Sequence, residues 1–115
     1  MDTTISVDLV DDSPPPGRKR INCPDAYPSP NDKVTWEATA NVGEIHLVIF
    51  KNRSPFGKGR KQQDVLEHPA NANPAARKKL GDTIHKDAQG KYDYTIVVRD
   101  TSGKTYALDP WLDVG

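Results

Sequence analysis

Apolar and polar side chains alternate through several short segments of this chain of 115 residues. Residues 3–10 and 33–40 both follow this period of two, which is typical of a strand with one buried face. The apolar positions of the two segments are Ile5, Val7, Leu9, Val34, Trp36, Ala38 and Ala40. The pattern therefore predicts two half-buried β-strands in the first third of the chain.

The middle of the chain contains a strand of a different kind. Residues 44–50 include an apolar run that only His46 interrupts, which is typical of a central strand buried on both faces. Farther along, residues 64–67 are too short a segment for one pattern to dominate. They predict either a helical turn or a short strand.

The last quarter of the chain has the pattern of a hairpin. Residues 91–100 alternate again, and the turn that follows them contains Gly103, which can adopt a positive φ. Residues 104–114 complete the hairpin. Pro110 within them indicates an edge strand or a bulge, because proline donates no hydrogen bond to a neighbouring strand.

Two connections between the strands have distinctive sequences. Residues 18–32 are interpreted as a long irregular connection, which in a compact domain is either packed against the core or functional. Residues 73–81 have the signals of a short helix. Asn73 can cap it, Pro74 suits its first position, and Gly81 suits the residue after its end.

The strand pattern predicts the fold class. Five or more strands at this spacing, with one short helix in a crossover, predict an antiparallel β-sandwich that forms a single domain over residues 1–115. Ten prolines and eight glycines agree with many turns between short elements. A small barrel is the structural alternative.

Four strings of residues carry a resemblance to a known group of proteins. They are Val34-Thr35-Trp36, Ile45-His46-Leu47-Val48-Ile49-Phe50 with Ser54-Pro55-Phe56, Tyr92-Asp93-Tyr94-Thr95-Ile96, and Leu108-Asp109-Pro110-Trp111-Leu112-Asp113-Val114. Over residues 33–114 the chain resembles small bacterial cupredoxin-like sandwich proteins of unknown function. The resemblance implies a cupredoxin-like scaffold, with an immunoglobulin-like topology as the alternative.

The same resemblance makes a copper site unexpected. Blue-copper members hold the metal with a histidine on one strand and with a cysteine, a histidine and usually a methionine near the last hairpin. In this chain the cysteine is Cys23, the methionine is Met1, and no histidine follows His85. We therefore predict a scaffold without copper, with no metal site and no cofactor.

Candidate catalytic groups are few. Cys23 follows the basic residues 18–20, which could lower the pKa of its thiol, but a partly buried structural thiol is the interpretation we favour. The histidines follow no metal-ligand spacing: they are His46, His68 and His85. No nucleophile elbow, phosphate loop or dinucleotide-binding fingerprint occurs. We predict no catalytic residues and no enzymatic activity.

The two tryptophans suggest a platform for carbohydrate binding. On alternating strands, however, tryptophans are more often core residues, and Trp36 lies on the apolar side of its strand. Trp111 is less certain. Counting from Leu108 puts Trp111 on the opposite side of the strand, although a bulge at Pro110 would return it inward.

The most distinctive chemical feature is a basic loop. Five cations fall within residues 51–61, around Phe56 and two glycines. Cations release counterions from a polyanion, and an exposed phenyl ring can stack on a nucleic-acid base. In the alternative interpretation the ring plugs the end of the sandwich and the cations are solvated. The predicted binding residues are Lys51, Arg53, Phe56, Lys58, Arg60 and Lys61.

The overall charge does not favour a polyanionic partner, because 16 basic residues balance 16 acidic ones. We therefore predict a monomeric, non-enzymatic module that binds a protein through loops 14–32 and 51–63. The alternative is a binder of single-stranded nucleic acid or another polyanion through residues 51–61. Residues 14–20 resemble either a polyproline ligand with flanking basic residues or a plain linker.

The cellular location is predicted from what the sequence contains. One cysteine forms no internal disulfide, which fits a reducing compartment. No apolar stretch approaches the length of a membrane span, and residues 1–4 do not begin a signal peptide. These features predict a cytoplasmic protein with no membrane contact, with a periplasmic or secreted protein as the alternative.

Overall fold

The computed structural model describes residues 2–12, 18–58, 61–62 and 64–115. These residues form eleven strands and one 3₁₀ turn, Ala76–Lys78. The strands are β1 (Thr3–Asp12), β2 (Arg18–Asn22), β3 (Lys33–Ala38), β4 (Val42–Phe50), β5 (Gly57–Lys58), β6 (Lys61–Gln62), β7 (Val65–Glu67), β8 (Lys79–Thr83), β9 (Gly90–Asp100), β10 (Thr105–Leu108) and β11 (Trp111–Val114). The predicted polyproline segment at residues 14–17 lies outside the described residues, as does Arg60 of the predicted basic site.

Most of these strands belong to two sheets that pack together. The four-stranded sheet has the order β2-β1-β3-β8. The five-stranded sheet has the order β10-β9-β4-β7, and β11 also pairs with β9. The mainly β class is therefore confirmed, and so are the strands predicted at residues 3–10, 33–40, 44–50 and 91–100. The strand at residues 44–50 is not buried on both faces as predicted, because Ile49 is 37% exposed on the outer side of its sheet. The short segment at residues 64–67 is a strand rather than a helical turn.

The core lies between the sheets and is centred on four aromatic rings. Trp36 of β3 and Tyr94 of β9 come from opposite sheets, with ring centroids 5.3 Å apart. Trp36 Nε1 donates a hydrogen bond of 3.0 Å to Tyr94 Oη. Phe50 and Phe56 pack edge-on against each other beside them, and such pairs add about 1 kcal/mol beyond the area they bury. One buried polar contact thus joins the two sheets.

One pairing departs from the predicted antiparallel arrangement, because β1 runs parallel to β3. The predicted irregular connection at residues 18–32 explains this difference. Its first part is β2, which pairs with β1, and its second part crosses to the other sheet, where Ala26 bridges to Leu112 of β11. The chain then returns to start β3 at the same end of the sheet as β1.

The predicted helix at residues 73–81 is replaced by a 3₁₀ turn and a strand. Asn73 precedes the turn, and its Oδ1 accepts a hydrogen bond of 2.8 Å from the backbone N–H of Ala76, but the residue at the N-cap position is Ala75. The following residues are extended because β8 pairs with β3, with Gly81 opposite Thr35. Gly81 is needed there for close approach, since a Cβ at this position would lie 2.1 Å from the Val34 carbonyl oxygen.

Side chains protect the part of β4 that β7 does not cover. The strand β7 pairs only with residues 47–49 of β4. Before that point, His68 Nε2 donates to the Ile45 carbonyl at 3.0 Å, and Lys78 Nζ donates to the Val42 carbonyl. These bonds occupy acceptors that would otherwise form an open sheet edge. They also hold residues 68–78 against β4.

The closing hairpin agrees with its prediction. Gly103 has a φ of 91°, and Thr105 of β10 pairs with Arg99 of β9. Pro110 interrupts the second arm between β10 and β11 but does not shift the register on β9. Because no bulge occurs at Pro110, Trp111 stays on the opposite side of its strand from the buried Leu112.

We expect the Tyr94→Phe substitution to destabilise the protein. It would leave the buried N–H of Trp36 without an acceptor, so the free energy of unfolding should fall by about 1–3 kcal/mol in a urea titration. Tyr27→Phe removes the same hydroxyl from a ring that is 72% exposed, and should change stability by less than about 0.5 kcal/mol. Equal effects of the two substitutions would contradict the proposed importance of this bond.

Gly81→Ala tests the pairing that replaces the predicted helix. The added Cβ would meet the backbone of β3, so we expect the free energy of unfolding to fall by about 3 kcal/mol. Gly103→Ala is the control, because Gly103 has open space around it and loses only about 1 kcal/mol through its positive φ. If Gly81→Ala were as stable as the wild type, the β3–β8 pairing would be wrong.

Candidate interaction surface

The first two residues of the predicted basic site contact their own protein. Lys51 Nζ lies 3.5 Å from Asp109 Oδ2. The Arg53 guanidinium lies 4.0 Å from the centroid of the Tyr92 ring, and its Nη2 donates to the Lys91 carbonyl at 3.0 Å. Both cations therefore already have intramolecular partners beside β9.

The aromatic residue of the predicted basic site lies in the core. Phe56 is fully buried against Trp36 and Phe50, so its ring is not available to stack on a nucleic-acid base. This burial agrees with the alternative interpretation, in which the ring fills the sandwich. The backbones of Lys58 and Lys61 pair with each other in the small β5–β6 hairpin. The predicted residues thus do not converge on one described site.

A different surface, the outer face of the five-stranded sheet, gathers exposed apolar side chains. The buried residues of β9 are the even-numbered ones, so its odd-numbered residues point away from the core. Strand register places Ile49 between Thr95 and Val65, and Leu47 beside Val97. Ile49 is 37% exposed and Val65 is 40% exposed. The centre of the outer face is therefore apolar and open to solvent.

An aromatic pair lies at one end of the outer face. Trp111 of β11 is half-buried, and the exposed Tyr27 ring packs edge-on against it with centroids 5.5 Å apart. Lys91 Nζ lies 5.0 Å from the centre of the Trp111 ring. The segment that carries Tyr27 is fixed to β11, since the Trp111 N–H donates to Asp25 Oδ1 and the Ala26 N–H donates to the Trp111 carbonyl. The pair is therefore held on an ordered backbone.

A cluster of charged residues lies at the other end of the outer face. Arg99 of β9 stands opposite Glu44 of β4 in the register, and Arg99 Nη1 lies 3.0 Å from Glu44 Oε1. Arg77, the middle residue of the 3₁₀ turn, reaches the other carboxylate oxygen at 3.4 Å. This Arg99–Glu44–Arg77 cluster lines a cleft of about 510 Å³.

Asp100 organises the hairpin turn beside this cleft. Its Oδ1 accepts hydrogen bonds from the Ser102 hydroxyl at 2.7 Å and from the backbone N–H groups of Ser102 and Lys104 at 2.9 Å. On the other oxygen, Tyr106 Oη donates at 3.3 Å and Lys19 Nζ lies 3.9 Å away. The Ser102 hydroxyl contributes most to lowering the pKa of Asp100 to about 2, against the opposing effect of desolvation.

Cys23 has the environment of a structural thiol. It is buried, and its Sγ lies 3.7 Å from Tyr94 Oη. Desolvation raises the pKa of the thiol to about 11, so the group is protonated at neutral pH. The cations of residues 18–20 therefore do not activate it.

The three histidines lie in separate environments. His68 bonds the Ile45 carbonyl, while His85 Nδ1 accepts a hydrogen bond from the Asp87 N–H at 3.1 Å. His46 Nδ1 is buried, and within the described ranges it has no hydrogen-bond partner. Among the residues that the structure describes, no three His, Cys, Asp or Glu side chains are grouped so that they could hold a metal ion.

Sequence reasoning missed most of this surface. Tyr27 lies in the connection that the sequence predicted to be packed or functional, but no periodic pattern marks it. The Arg99–Glu44 pair depends on a register that two irregularities in β4 set, at Gly43 and at His46. The alternation of residues 91–100 was the available signal, because it placed Arg99 on the polar side of its strand.

Comparisons of the sequence with known proteins identify no relative, so the surface is interpreted from its own chemistry. No protein-family model matches the chain, and no curated protein matches its sequence significantly. In the described part of the chain, no helix has the length and apolar character that crossing a membrane requires.

The environment of Asp100 predicts a specific dependence of stability on pH. The folded state lowers the pKa of this carboxyl from 3.8 to about 2, so its contribution is complete above about pH 4. The contribution is lost as the pH falls from about 4 to about 2. We expect Asp100→Asn to be less stable at pH 7 and to lose less stability in that interval, as measured by urea titrations from pH 2 to 7. The exposed Asp87→Asn is the control, and identical pH profiles for the wild type and Asp100→Asn would contradict the prediction.

Proposed function

We propose that the protein is a non-enzymatic interaction module that binds a protein partner, and that the outer face of the five-stranded sheet is its contact surface. The observation that carries this proposal is the aromatic pair of the exposed Tyr27 and the half-buried Trp111, at the end of an apolar sheet face. Tyrosine and tryptophan are enriched at protein interfaces because a large apolar ring is combined with a polar group.

The fixed backbone beneath the aromatic pair supports a role in recognition. Ala26 and Trp111 are joined by a backbone hydrogen bond, so Tyr27 is presented by a segment that is already ordered. A side chain held in this way loses less conformational entropy when a partner binds. Tyr27 also belongs to the loop at residues 14–32, which the sequence predicted as a contact region.

The apolar centre of the outer face supports the same partner class. Ile49 and Val65 are neighbours in the register, and both are more than a third exposed. An apolar patch surrounded by polar side chains is typical of a surface that another protein covers. Here the polar surroundings include the Lys51–Asp109 pair on one side and the Arg99–Glu44 pair on the other.

The polyanion alternative stays a prediction with less support. Lys51 and Arg53 have partners within the protein, and Phe56 is buried. Binding of single-stranded DNA through residues 51–61 would have to displace the first two contacts. The cytoplasmic location and the monomeric state also stay predictions.

We further propose that the scaffold is of the cupredoxin-like or immunoglobulin-like type. The support is that the strings carrying the resemblance supply the rings of the aromatic core, Trp36, Phe50, Phe56 and Tyr94. The pairing of β1 with β3 shows that the arrangement of strands is mixed rather than fully antiparallel.

Substitutions of exposed residues on the outer face test the proposed function. We expect Ile49→Lys and Tyr27→Ser to reduce recovery of a specific protein from the native cell extract at least tenfold in quantitative pull-downs. Thr35→Lys is the matched control, because Thr35 has the corresponding position on the central strand β3 of the four-stranded sheet and points away from the core. Its recovery should equal that of the wild type.

The thermal unfolding temperature of each of the three variants is measured as well. A temperature close to that of the wild type means that a loss of recovery comes from the surface and not from loss of the fold. The proposed contact surface would be contradicted if the same partner protein were recovered in equal amounts by the wild type and by all three variants, Thr35→Lys, Ile49→Lys and Tyr27→Ser. Amide shifts confined to residues 51–61 on addition of short single-stranded DNA at moderate salt would favour the polyanion alternative instead.

A further inference from the structure

The charged end of the outer face carries more positive than negative charge, and its ion pairs do not remove this excess. Each nitrogen of the Arg77 guanidinium donates to the protein: Nε to Ala72, Nη2 to Ala70 and Nη1 to Glu44. Arg77 thereby holds one oxygen of the Glu44 carboxylate and leaves the other to Arg99. Two guanidinium groups share the Glu44 carboxylate, and the second carboxylate of the cleft, Asp100, has Lys19 Nζ 3.9 Å from its Oδ2, so three cations stand against two carboxylates.

The excess charge is carried by a guanidinium with unused donors. Arg99 contributes only Nη1 to Glu44, and its side chain is 41% exposed. Over the residues that the structure describes, no protein group accepts from Arg99 Nε or Nη2. These two nitrogen atoms form the fork of a guanidinium, which matches two oxygen atoms of a carboxylate or a phosphate.

The surroundings of Arg99 do not cancel its charge. The cleft of about 510 Å³ is also lined by Asp100, whose charge is opposed by Lys19 Nζ at 3.9 Å and whose oxygen atoms accept from the hairpin turn and from Tyr106 Oη rather than from Arg99. Thr101 and Thr105 line the cleft and supply hydroxyl groups. A cleft of this size accepts a side chain or a small ligand.

We propose that this cleft binds an oxyanion, a carboxylate or a phosphate group carried by the partner, through the free fork of Arg99. The inference rests on the proposed function in one respect, that the anion belongs to a protein partner. Glu44 and Arg77 are positioning residues, because they fix the Arg99 side chain from its other side.

The distance between the cleft and the aromatic pair predicts how the contacting groups of the partner are spaced. Asp93, which stands opposite Trp111, and Arg99 are six residues apart on β9, a distance of roughly 20 Å at about 3.3 Å per residue. The apolar centre of the outer face lies between them. A complementary partner surface carries an acidic or phosphorylated residue about 20 Å from the group that contacts Tyr27 and Trp111.

The anion site can be tested without knowing the partner. The full chain is titrated with sodium phosphate and, separately, with sodium acetate while amide and arginine Nε–Hε shifts are recorded, and sodium chloride keeps the ionic strength constant. We expect saturable shifts at Arg99 Nε and at residues 43–44 and 101–105. Arg99→Gln should weaken the affinity at least tenfold. Lys86→Gln, which removes the same charge from an exposed loop, should leave it unchanged.

Each outcome of the titration has a defined meaning. A response to phosphate alone assigns a phosphorylated group, a response to acetate alone assigns a carboxylate, and a response to both supports the shared oxyanion site. Shifts that do not saturate, or that Arg99→Gln leaves unchanged, would overturn the proposal. If Arg99→Gln does not fold, the wild-type shifts at Arg99 Nε decide between these results.

The failure of this inference is separable from failure of the proposed function. If Ile49→Lys abolishes partner recovery and neither anion binds the cleft, the contact surface stands and the oxyanion site is wrong. If the anions bind and Ile49→Lys has no effect on recovery, the site stands and the proposed contact surface is wrong.

Discussion

The hydrogen bond from Trp36 to Tyr94 is the contact on which the rest of the structure depends. It joins the central strand of the four-stranded sheet to β9 of the five-stranded sheet, and it lies among buried rings where an unpaired polar group would be costly. The bond lies on the face of β9 that the burial of its even-numbered residues directs inward. Once Tyr94 is inside, the alternation of the strand directs Lys91, Asp93, Thr95, Val97 and Arg99 outward.

The proposed contact surface follows from this orientation. Because most of the aromatic side chains are needed between the sheets, the exposure of Tyr27 and the half-exposure of Trp111 stand out as features that the core does not explain. Across the outer face, the chemistry changes from aromatic through apolar to cationic. An arrangement of this kind suits the proposed recognition of an extended or flat partner surface.

The sequence predicted those parts of the fold that local patterns encode. Residues 3–10 and 91–100 alternate clearly, and both are strands in which one alternating set of apolar residues is buried. It did not reveal β2, whose five residues contain one apolar side chain, because that strand is defined by pairing with β1. It also predicted a helix where β8 lies, since helix punctuation at Asn73 and Gly81 is local, whereas the pairing with β3 is not.

The interaction surface was less accessible to sequence reasoning for the same reason. The cations at residues 51–61 are close together in sequence, so they were easy to recognise. In the folded protein, however, Lys51 and Arg53 already contact Asp109 and Tyr92. Arg77, Glu44 and Arg99 are far apart in the sequence and meet only because β4 and the 3₁₀ turn are brought together. The site of Arg99, Glu44 and Arg77 depends on the register between β4 and β9, and no pattern within a single sequence encodes that register.

Hydroxyl-radical footprinting, carried out in the native cell and on the purified protein, tests the central claim most directly. Oxidation of each residue is measured by mass spectrometry relative to a reporter peptide. The account predicts that Tyr27 and Trp111 are oxidised readily in the purified protein and are protected in the cell, while the buried Trp36 and Tyr94 are protected in both. Equal oxidation of Tyr27 and Trp111 in the two samples would contradict the claim that the outer face of the five-stranded sheet contacts a partner.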